Sequence, residues 1–163
     1  MEHKTVKGVG GEVHYWISRT NCKTSEAIVF THGLTADHTM FEKQIEFFQK
    51  EYTVIVWDVP MHGLSISYKD FSYENTAMDL NSILRQECIE KVSLVGMSMG
   101  GYPSQMFAHL YPQKVKCFVG IDTTPFGTDY YSKSDLWWLS KVKPMAKLFP
   151  EKCFAGAWQN LFL

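Results

Sequence analysis

The sequence has no excess of charge of either sign. Its 163 residues include 16 lysines and arginines and 17 aspartates and glutamates, so the net charge is −1 with neutral histidines. A protein that binds nucleic acid needs a basic surface to meet the phosphates, and this composition supplies none. We therefore expect no nucleic-acid partner.

Long apolar runs are also missing. The longest, around Tyr52–Val59, is far shorter than the roughly 20 residues that a membrane-spanning helix needs. No apolar segment follows the first charged residues, Met1–Thr5, so the sequence shows no secretory signal. These absences predict a cytoplasmic protein without a membrane span.

Cysteines are few and scattered. No two of them stand at the spacing of a redox motif or a metal site: Cys22, Cys88, Cys117 and Cys153. We expect reduced and mostly buried thiols. Nothing in the sequence predicts a metal or a cofactor.

Strand and helix patterns alternate along an otherwise ordinary globular composition, with 45% hydrophobic and 20% charged residues. A hairpin around Gly8–Gly11 comes first, between strands at Thr5–Lys7 and Glu12–Ser18. Four apolar runs predict buried strands: Ala27–Thr31, Thr53–Trp57, Val92–Val95 and Val115–Ile121. Three helices are predicted with them: His38–Lys50, Tyr73–Ile89 and Gly100–Leu110. This alternation predicts a mainly parallel α/β sheet covered on both faces, with ligands bound at the carboxyl ends of its strands.

The amino-acid composition changes after Gly127. Residues 128–163 are rich in Tyr, Trp, Phe and Met and follow directly on the fourth buried strand. One interpretation is a further packing layer; the interpretation that we favour is a lid over the strand ends. We therefore divide the chain into a core, residues 1–127, and the start of a helical cap, residues 128–163.

The strongest motif is Gly96-Met97-Ser98-Met99-Gly100, which lies between a predicted strand and a predicted helix. A serine on a sharp strand-to-helix turn is typical of a nucleophile. Its neighbours must be small where the backbones approach, and Gly96 and Gly100 satisfy that requirement. The helix N-terminus also favours a developing negative charge. We predict that Ser98 is a catalytic nucleophile.

A second motif, His32-Gly33-Leu34, ends the first buried strand. Acyl transfer needs two backbone N–H donors for the oxyanion, and we assign them to Leu34 and Met99. Gly33 would let the backbone approach without a side chain. His32 could act as a general base, but we favour a role in holding the loop by hydrogen bonds.

A third loop follows the strand Thr53–Trp57 and contains Asp58 and His62. Asp58 could be a catalytic acid, and His62 a base. Turn and capping hydrogen bonds explain both residues better, because the segment also contains Pro60 and Gly63.

Taken together and in this order, the three loops resemble those of the α/β-hydrolase superfamily, in its branch of small cofactor-free esterases, lipases and C–C hydrolases. The resemblance covers about residues 5–126. It implies a serine nucleophile, an acid after a later strand and a histidine near the C-terminus. The sequence departs from that pattern at its end, because its last histidine is His109. We expect either a fragment of a longer protein or a natural short product without a catalytic histidine.

Asp122 is a weak candidate for the acid, since it follows the fourth strand, where a minority of the superfamily carries this residue. Its alternative role is to cap or hydrogen-bond the loop at Thr123 and Thr124. The resemblance implies hydrolysis of a small carboxylic ester or acyl substrate. The aromatic-rich cap predicts that this substrate has an apolar portion. C–C bond hydrolysis, acyl transfer, perhydrolysis and non-catalytic ligand binding are the alternatives.

The last predicted strand, Val115–Ile121, would form an open and apolar sheet edge. For residues 1–163 alone we expect poor solubility, self-association through this edge, or completion of the sheet by another polypeptide segment. We also expect no ester hydrolysis from them, because Ser98 would lack a base.

Overall fold

Six strands form one sheet in the order β1-β2-β4-β3-β5-β6. The computed structural model describes residues 1–20, 26–127 and 129–146. The strands are β1 (Glu2–Lys7), β2 (Glu12–Ser18), β3 (Ala27–Thr31), β4 (Thr53–Trp57), β5 (Val92–Met97) and β6 (Val115–Ile121). Strands β4, β3, β5 and β6 run parallel, while the hairpin β1–β2 joins them antiparallel through β2 and β4. The mainly parallel sheet is therefore confirmed.

Both faces of the sheet are covered, as the apolar runs predict. Alternate residues of β3 belong to two separate clusters of buried side chains, Ala27 and Val29 to one and Ile28 and Phe30 to the other. Two helices, α2 (Tyr73–Gln86) and α3 (Gly101–Leu110), cover the first face. The single short helix α1 (Glu42–Phe48) covers the second. The first face consequently has the larger core.

Helix boundaries differ from the sequence prediction at several points. A 3-10 turn at His38–Phe41 precedes α1, and Asp37 caps it by accepting a hydrogen bond from the Thr39 amide. Helix α2 begins at the capping residue Ser72 but ends at Gln86, before Ile89, because Cys88 takes a left-handed φ of 56°. A left-handed residue ends an α-helix, and apolar periodicity does not reveal it.

The expected burial of the thiols is wrong for the two cysteines that the structure describes. Cys88 is free and exposed in the turn after α2, and Cys117 is free and exposed on β6. Both positions lie where few side chains pack against the sheet or the helix end. Cys22 and Cys153 lie outside the described residues.

Helix α4 (Lys133–Ala146) occupies the start of the predicted cap. Trp137 on this helix and Tyr130 before it are exposed. Residues 147–163, which carry the rest of the predicted lid, lie outside the described part of the chain, so the lid stays a prediction. No helix within the described ranges is long and apolar enough to cross a membrane.

Candidate active site

Ser98 lies on a strained turn at the carboxyl end of β5. Strand β5 ends at Met97, Ser98 has a left-handed φ of 50°, and a 3-10 turn at Ser98–Gly100 leads directly into α3. A non-glycine residue in this region costs about 1–2 kcal/mol and persists only where the surrounding structure enforces it. Ser98 is exposed, and its side chain forms no hydrogen bond with any described residue. The hydroxyl is therefore free to meet a ligand.

The glycines on either side of Ser98 are required by close backbone contacts. A Cβ on Gly96 would lie 2.5 Å from the Gly100 carbonyl oxygen, and a Cβ on Gly100 would lie 2.2 Å from the Thr31 carbonyl oxygen. Real side chains do not approach backbone atoms so closely. Gly100 thus allows the first turn after Ser98 to press against the end of β3.

Gly33, in contrast, is not required by a close backbone contact. A Cβ there would lie 3.5 Å from the Met97 carbonyl oxygen and 3.6 Å from the Ser98 Cβ, both ordinary van der Waals distances. The steric reason expected for Gly33 is therefore wrong for a single methyl group. The same distances show that the loop after β3 runs directly beside Ser98.

His32 holds this loop with both of its ring nitrogens. Nδ1 donates to the Gly33 carbonyl oxygen at 2.8 Å, and Nε2 accepts from the Val59 amide at 3.0 Å. Burial lowers the pKa of His32 to about 4, so the ring is neutral and its tautomer is set by these two bonds. This arrangement matches the loop-holding role favoured from the sequence, and it leaves no free nitrogen for a general base.

The amides of Leu34 and Met99 are available as donors. No described residue accepts a hydrogen bond from the Leu34 amide. Met99 is the second residue of the 3-10 turn that begins at Ser98, and first-turn amides have no partner inside their own helix. The two donors assigned to the oxyanion thus stand on the two loops that meet at Ser98.

Asp122 follows β6 at the position that matches Ser98. Met97 pairs with Ile121, and the next residue on each strand, Ser98 and Asp122, is left-handed, with φ values of 50° and 48°. Neighbouring strands lie about 4.8 Å apart, so the two residues are neighbours at the sheet end. Asp122 is exposed, and no described residue donates a hydrogen bond to its carboxylate. The structure therefore shows no capping bond from Asp122 to Thr123 or Thr124.

Sequence reasoning missed a clamp on the segment after Asp122. The Gln105 side-chain amide donates to the Thr124 carbonyl oxygen at 2.9 Å and accepts from the Phe126 amide at 2.8 Å. Tyr102 adds a hydroxyl contact of 2.9 Å to Thr124, and Tyr131 also contacts the Thr124 hydroxyl. Helix α3 thus fixes both Ser98 at its start and the chain that leads into the predicted cap.

Aromatic side chains surround the same segment. Phe126 packs edge-on against Tyr73, with ring centres 5.3 Å apart, and lies 5.9 Å from Tyr102. Burial raises the pKa of Tyr73 to about 12, so this phenol stays neutral. Phe126 remains partly exposed, so the cluster presents an apolar surface at the carboxyl end of the sheet. None of these three residues lies in the aromatic-rich stretch 128–163, so the sequence did not predict this cluster.

Asp58 and His62 hydrogen-bond to the backbone and side chains of the loops around them. The buried Asp58 carboxylate accepts from the His38 amide (2.9 Å), from His38 Nδ1 (2.8 Å) and from the Leu64 amide (2.7 Å). A Cβ on Gly63 would meet this carboxylate at 2.2 Å. His62 is buried, contacts the Pro60 carbonyl oxygen through Nδ1, and has a pKa lowered by burial. The turn role favoured from the sequence thus agrees with these contacts.

No group of three or more His, Cys, Asp or Glu side chains within the described ranges could hold a metal ion. The sequence predicts neither a metal nor a cofactor, and that expectation remains a prediction.

Comparisons with known proteins place this geometry in a family. The family described as alpha/beta hydrolase fold matches residues 26–151. An sn-1-specific diacylglycerol lipase from Mus musculus is 36% identical over 107 residues, which is 64% of this chain and 35% of that protein. An ethanol acetyltransferase from Eremothecium cymbalariae is 31% identical over 130 residues, or 78% of this chain and 33% of that protein.

Among solved structures, a thermophilic esterase from Thermogutta terrifontis shares the fold with a TM-score of 0.71 and 24% sequence identity. The match covers 90% of this chain and 54% of that esterase. The chain therefore spans about a third of the two relatives named above and about half of this structure. Ser98 lies on a strand-to-helix turn beside the loop His32–Leu34, and the family model matches most of the chain. This chain therefore belongs to the α/β-hydrolase fold family.

Proposed function

We propose that the protein is a serine hydrolase acting on a small carboxylic ester or related acyl substrate. The observation that carries this proposal is Ser98, a strained, exposed and unpartnered serine between a parallel strand and a helix N-terminus. Its relatives support hydrolase chemistry, and the apolar surface formed by Phe126 and Tyr73 supports a substrate with an apolar portion.

In the proposed reaction, the Ser98 oxygen attacks the carbonyl carbon and its proton passes to a base. The Leu34 and Met99 amides donate to the oxyanion as it forms. Collapse of this intermediate breaks the ester C–O bond, and the base returns the proton to the leaving oxygen, which departs as the alcohol. Water then attacks the acyl-enzyme and frees the acid. His32 serves as a positioning residue, because it fixes the loop that carries Leu34.

The described residues do not supply a general base for Ser98. None of the six histidines hydrogen-bonds to Ser98; His32 and His62 are buried with lowered pKa values, and His38 is held by Asp58. We therefore place the general base outside residues 1–163 and expect this chain alone to be inactive. Asp122 is the candidate acid that would orient it, since it directly follows β6, the strand that pairs with the strand before Ser98.

Acyl transfer to an alcohol is the second candidate. It is favoured by the similarity to an ethanol acetyltransferase over 78% of this chain. Both reactions share the acyl-enzyme on Ser98 and differ in the acceptor, water or alcohol. Product analysis with added ethanol separates them: an ethyl ester that dominates over free acid would favour transfer.

Chemical rescue provides the test. Residues 1–163 are given a short activated ester with and without added imidazole, which can replace a missing histidine as base. We expect no turnover above background without imidazole. With imidazole, we expect turnover that is lost in Ser98→Ala and kept in Ser82→Ala, a control on the exposed side of α2.

Three results would contradict parts of the proposal. Rescued turnover that survives Ser98→Ala would remove Ser98 as the nucleophile. Turnover that depends on Ser98 but needs no imidazole would show that a base is already present, and His32 or His62 would become the candidates. Binding of an ester without any acylation under rescue would favour a non-catalytic ligand-binding protein.

A further inference from the structure

The Gly33 carbonyl group is held by two hydrogen bonds. Its oxygen accepts from His32 Nδ1 at 2.8 Å and from the Ala36 amide at 3.3 Å. The Gly33 carbonyl and the Leu34 amide belong to one peptide group, which is trans like every other peptide bond within the described ranges. In a planar trans peptide the N–H points opposite to the C=O. The two bonds that orient the Gly33 carbonyl therefore also fix the direction of the Leu34 N–H.

The hydrogen bond from Ala36 closes a four-residue turn that has an unusual residue at its third position. Thr35 has a left-handed φ of 63°, whereas Leu34 before it is not left-handed. A positive φ at the third position alone defines a type II turn, which favours glycine or asparagine there. A β-branched residue is an outlier in this region. Thr35 therefore holds a backbone conformation that its own side chain disfavours.

The strain at Thr35 is enforced from both sides of the turn. The Thr35 side chain is exposed and forms no hydrogen bond with a described residue, so its own contacts do not explain the conformation. Before the turn, His32 accepts from the Val59 amide at 3.0 Å. After it, the amide and Nδ1 of His38 donate to the Asp58 carboxylate at 2.9 and 2.8 Å. Two consecutive residues after β4 thus hold both ends of the segment, and the chain must reverse between them.

We propose that Thr35 is a positioning residue, whose left-handed backbone closes the turn that aims the Leu34 amide at the oxyanion. This inference rests on the proposed function of Ser98. The turn lies beside that serine, because a Cβ on Gly33 would be 3.6 Å from the Ser98 Cβ. Strained residues concentrate at sites where a fixed geometry is part of the mechanism. The backbone at position 35 carries this role, since the hydroxyl group has no described partner.

The first test compares two proline variants of residues 1–163, given a short activated ester with imidazole. Proline fixes φ at about −65° and cannot adopt a left-handed conformation. Thr35→Pro should open the turn and lower kcat roughly 10²-fold with little change in KM, as expected for the loss of one oxyanion donor. The matched control is Asp70→Pro. Asp70 is also exposed and left-handed, with a φ of 56°, but lies in the loop before α2, so its variant should keep the wild-type kcat.

A second variant tests the backbone while it preserves the turn. Asparagine tolerates a positive φ better than threonine, so Thr35→Asn should keep the wild-type kcat and raise the urea midpoint of unfolding. Amide hydrogen exchange reports the turn directly. The Ala36 amide should be protected in the wild type and in Thr35→Asn, and should exchange faster in Thr35→Pro. Circular dichroism checks the fold, and Thr35→Asn together with Ala36 exchange decides the question if Thr35→Pro does not fold.

The inference fails on any of three results. The first is a Thr35→Pro variant that lowers kcat no more than Asp70→Pro, or whose loss appears in KM instead. The second is a Thr35→Asn variant that loses kcat or gains no stability. The third is an unprotected Ala36 amide in the wild type. Turnover that depends on Ser98 would leave the proposed function intact in all three cases. Its absence from the wild type with imidazole would instead refute the proposed function, and this inference with it.

Discussion

The two sides of the candidate site are held in different ways. On the β3–β4 side every residue of both strands is buried, and the loops that follow are fixed by His32 and Asp58, which are themselves buried. On the β6 side no residue of the strand is buried, and the following segment is fixed by Gln105 and Tyr102 near the surface. The side that carries Leu34 is thus preorganised by the core, whereas the Asp122 side depends on a few surface contacts.

The largest effect should come from the backbone contact between the turn after Ser98 and the end of β3. Gly100→Ala would force a methyl group against the carbonyl oxygens of Thr31 and His32, at 2.2 and 2.4 Å. We expect a loss of roughly 3 kcal/mol or more in the free energy of unfolding, measured by urea denaturation. A loss below about 1 kcal/mol would mean that the turn after Ser98 can move away from β3 without cost.

Lowering the pH should reduce the free energy of unfolding, because His32 on the β3–β4 side becomes protonated. Its pKa is about 4 in the folded chain, because burial disfavours the charged ring, against 6.5 in the unfolded chain. Between these values the unfolded state binds more protons, so stability falls as the pH drops from about 6.5 to about 4. The loss should be of the order of 3 kcal/mol, and His62, whose pKa is also lowered by burial, acts in the same direction.

The measurement is urea denaturation at several pH values across this range, compared with His32→Asn. That variant should be less stable at neutral pH and should depend less on pH. An unchanged pH dependence in His32→Asn would assign the effect to other groups.

A smaller effect is expected on the β6 side. Gln105→Ala removes two hydrogen bonds to the segment at Thr124–Phe126 and should cost about 1–2 kcal/mol. Because these bonds are local, the main result should be faster amide hydrogen exchange at residues 123–127 with little change in β3 and β4. Gln113→Ala, on an exposed turn before β6, is the control. Equal exchange in the two variants would show that the clamp does not hold the segment.

The smallest effect should come from Gly33→Ala. The added methyl group meets only ordinary contacts, so we expect a change within about 0.5 kcal/mol in urea denaturation. Compared with Gly100→Ala, this variant separates glycines that the backbone requires from glycines that it tolerates. A loss as large as that of Gly100→Ala would show that the loop before Leu34 is tighter than its distances indicate.

The strands could be predicted from the sequence more closely than the contacts of the site. Ala27–Thr31, Thr53–Trp57 and Val115–Ile121 are apolar runs with polar residues or glycine and proline nearby, and their boundaries agree with the structure. Ser98 could be selected because its signal is local, with two glycines between a strand and a helix.

The contacts made by Asp58 and Gln105 could not be predicted. His38 and Thr124 lie about twenty residues from them in sequence, and such pairs depend on how separate loops meet. The exposure of Cys88 and Cys117 was missed for a similar reason, because burial depends on which elements cover a position and not on the residue type alone.

The left-handed backbone at Ser98 also limits which residues can occupy this strand-to-helix turn. At a φ of 50° a side chain branched at Cβ is less favoured than an unbranched one. Threonine, although it carries the same hydroxyl group, is therefore a poor substitute at this position. Cysteine or aspartate would fit the backbone and would replace the proposed serine nucleophile by a thiolate or a carboxylate. The backbone of the turn thus favours a residue that is unbranched at Cβ, whatever the reactivity of its side chain.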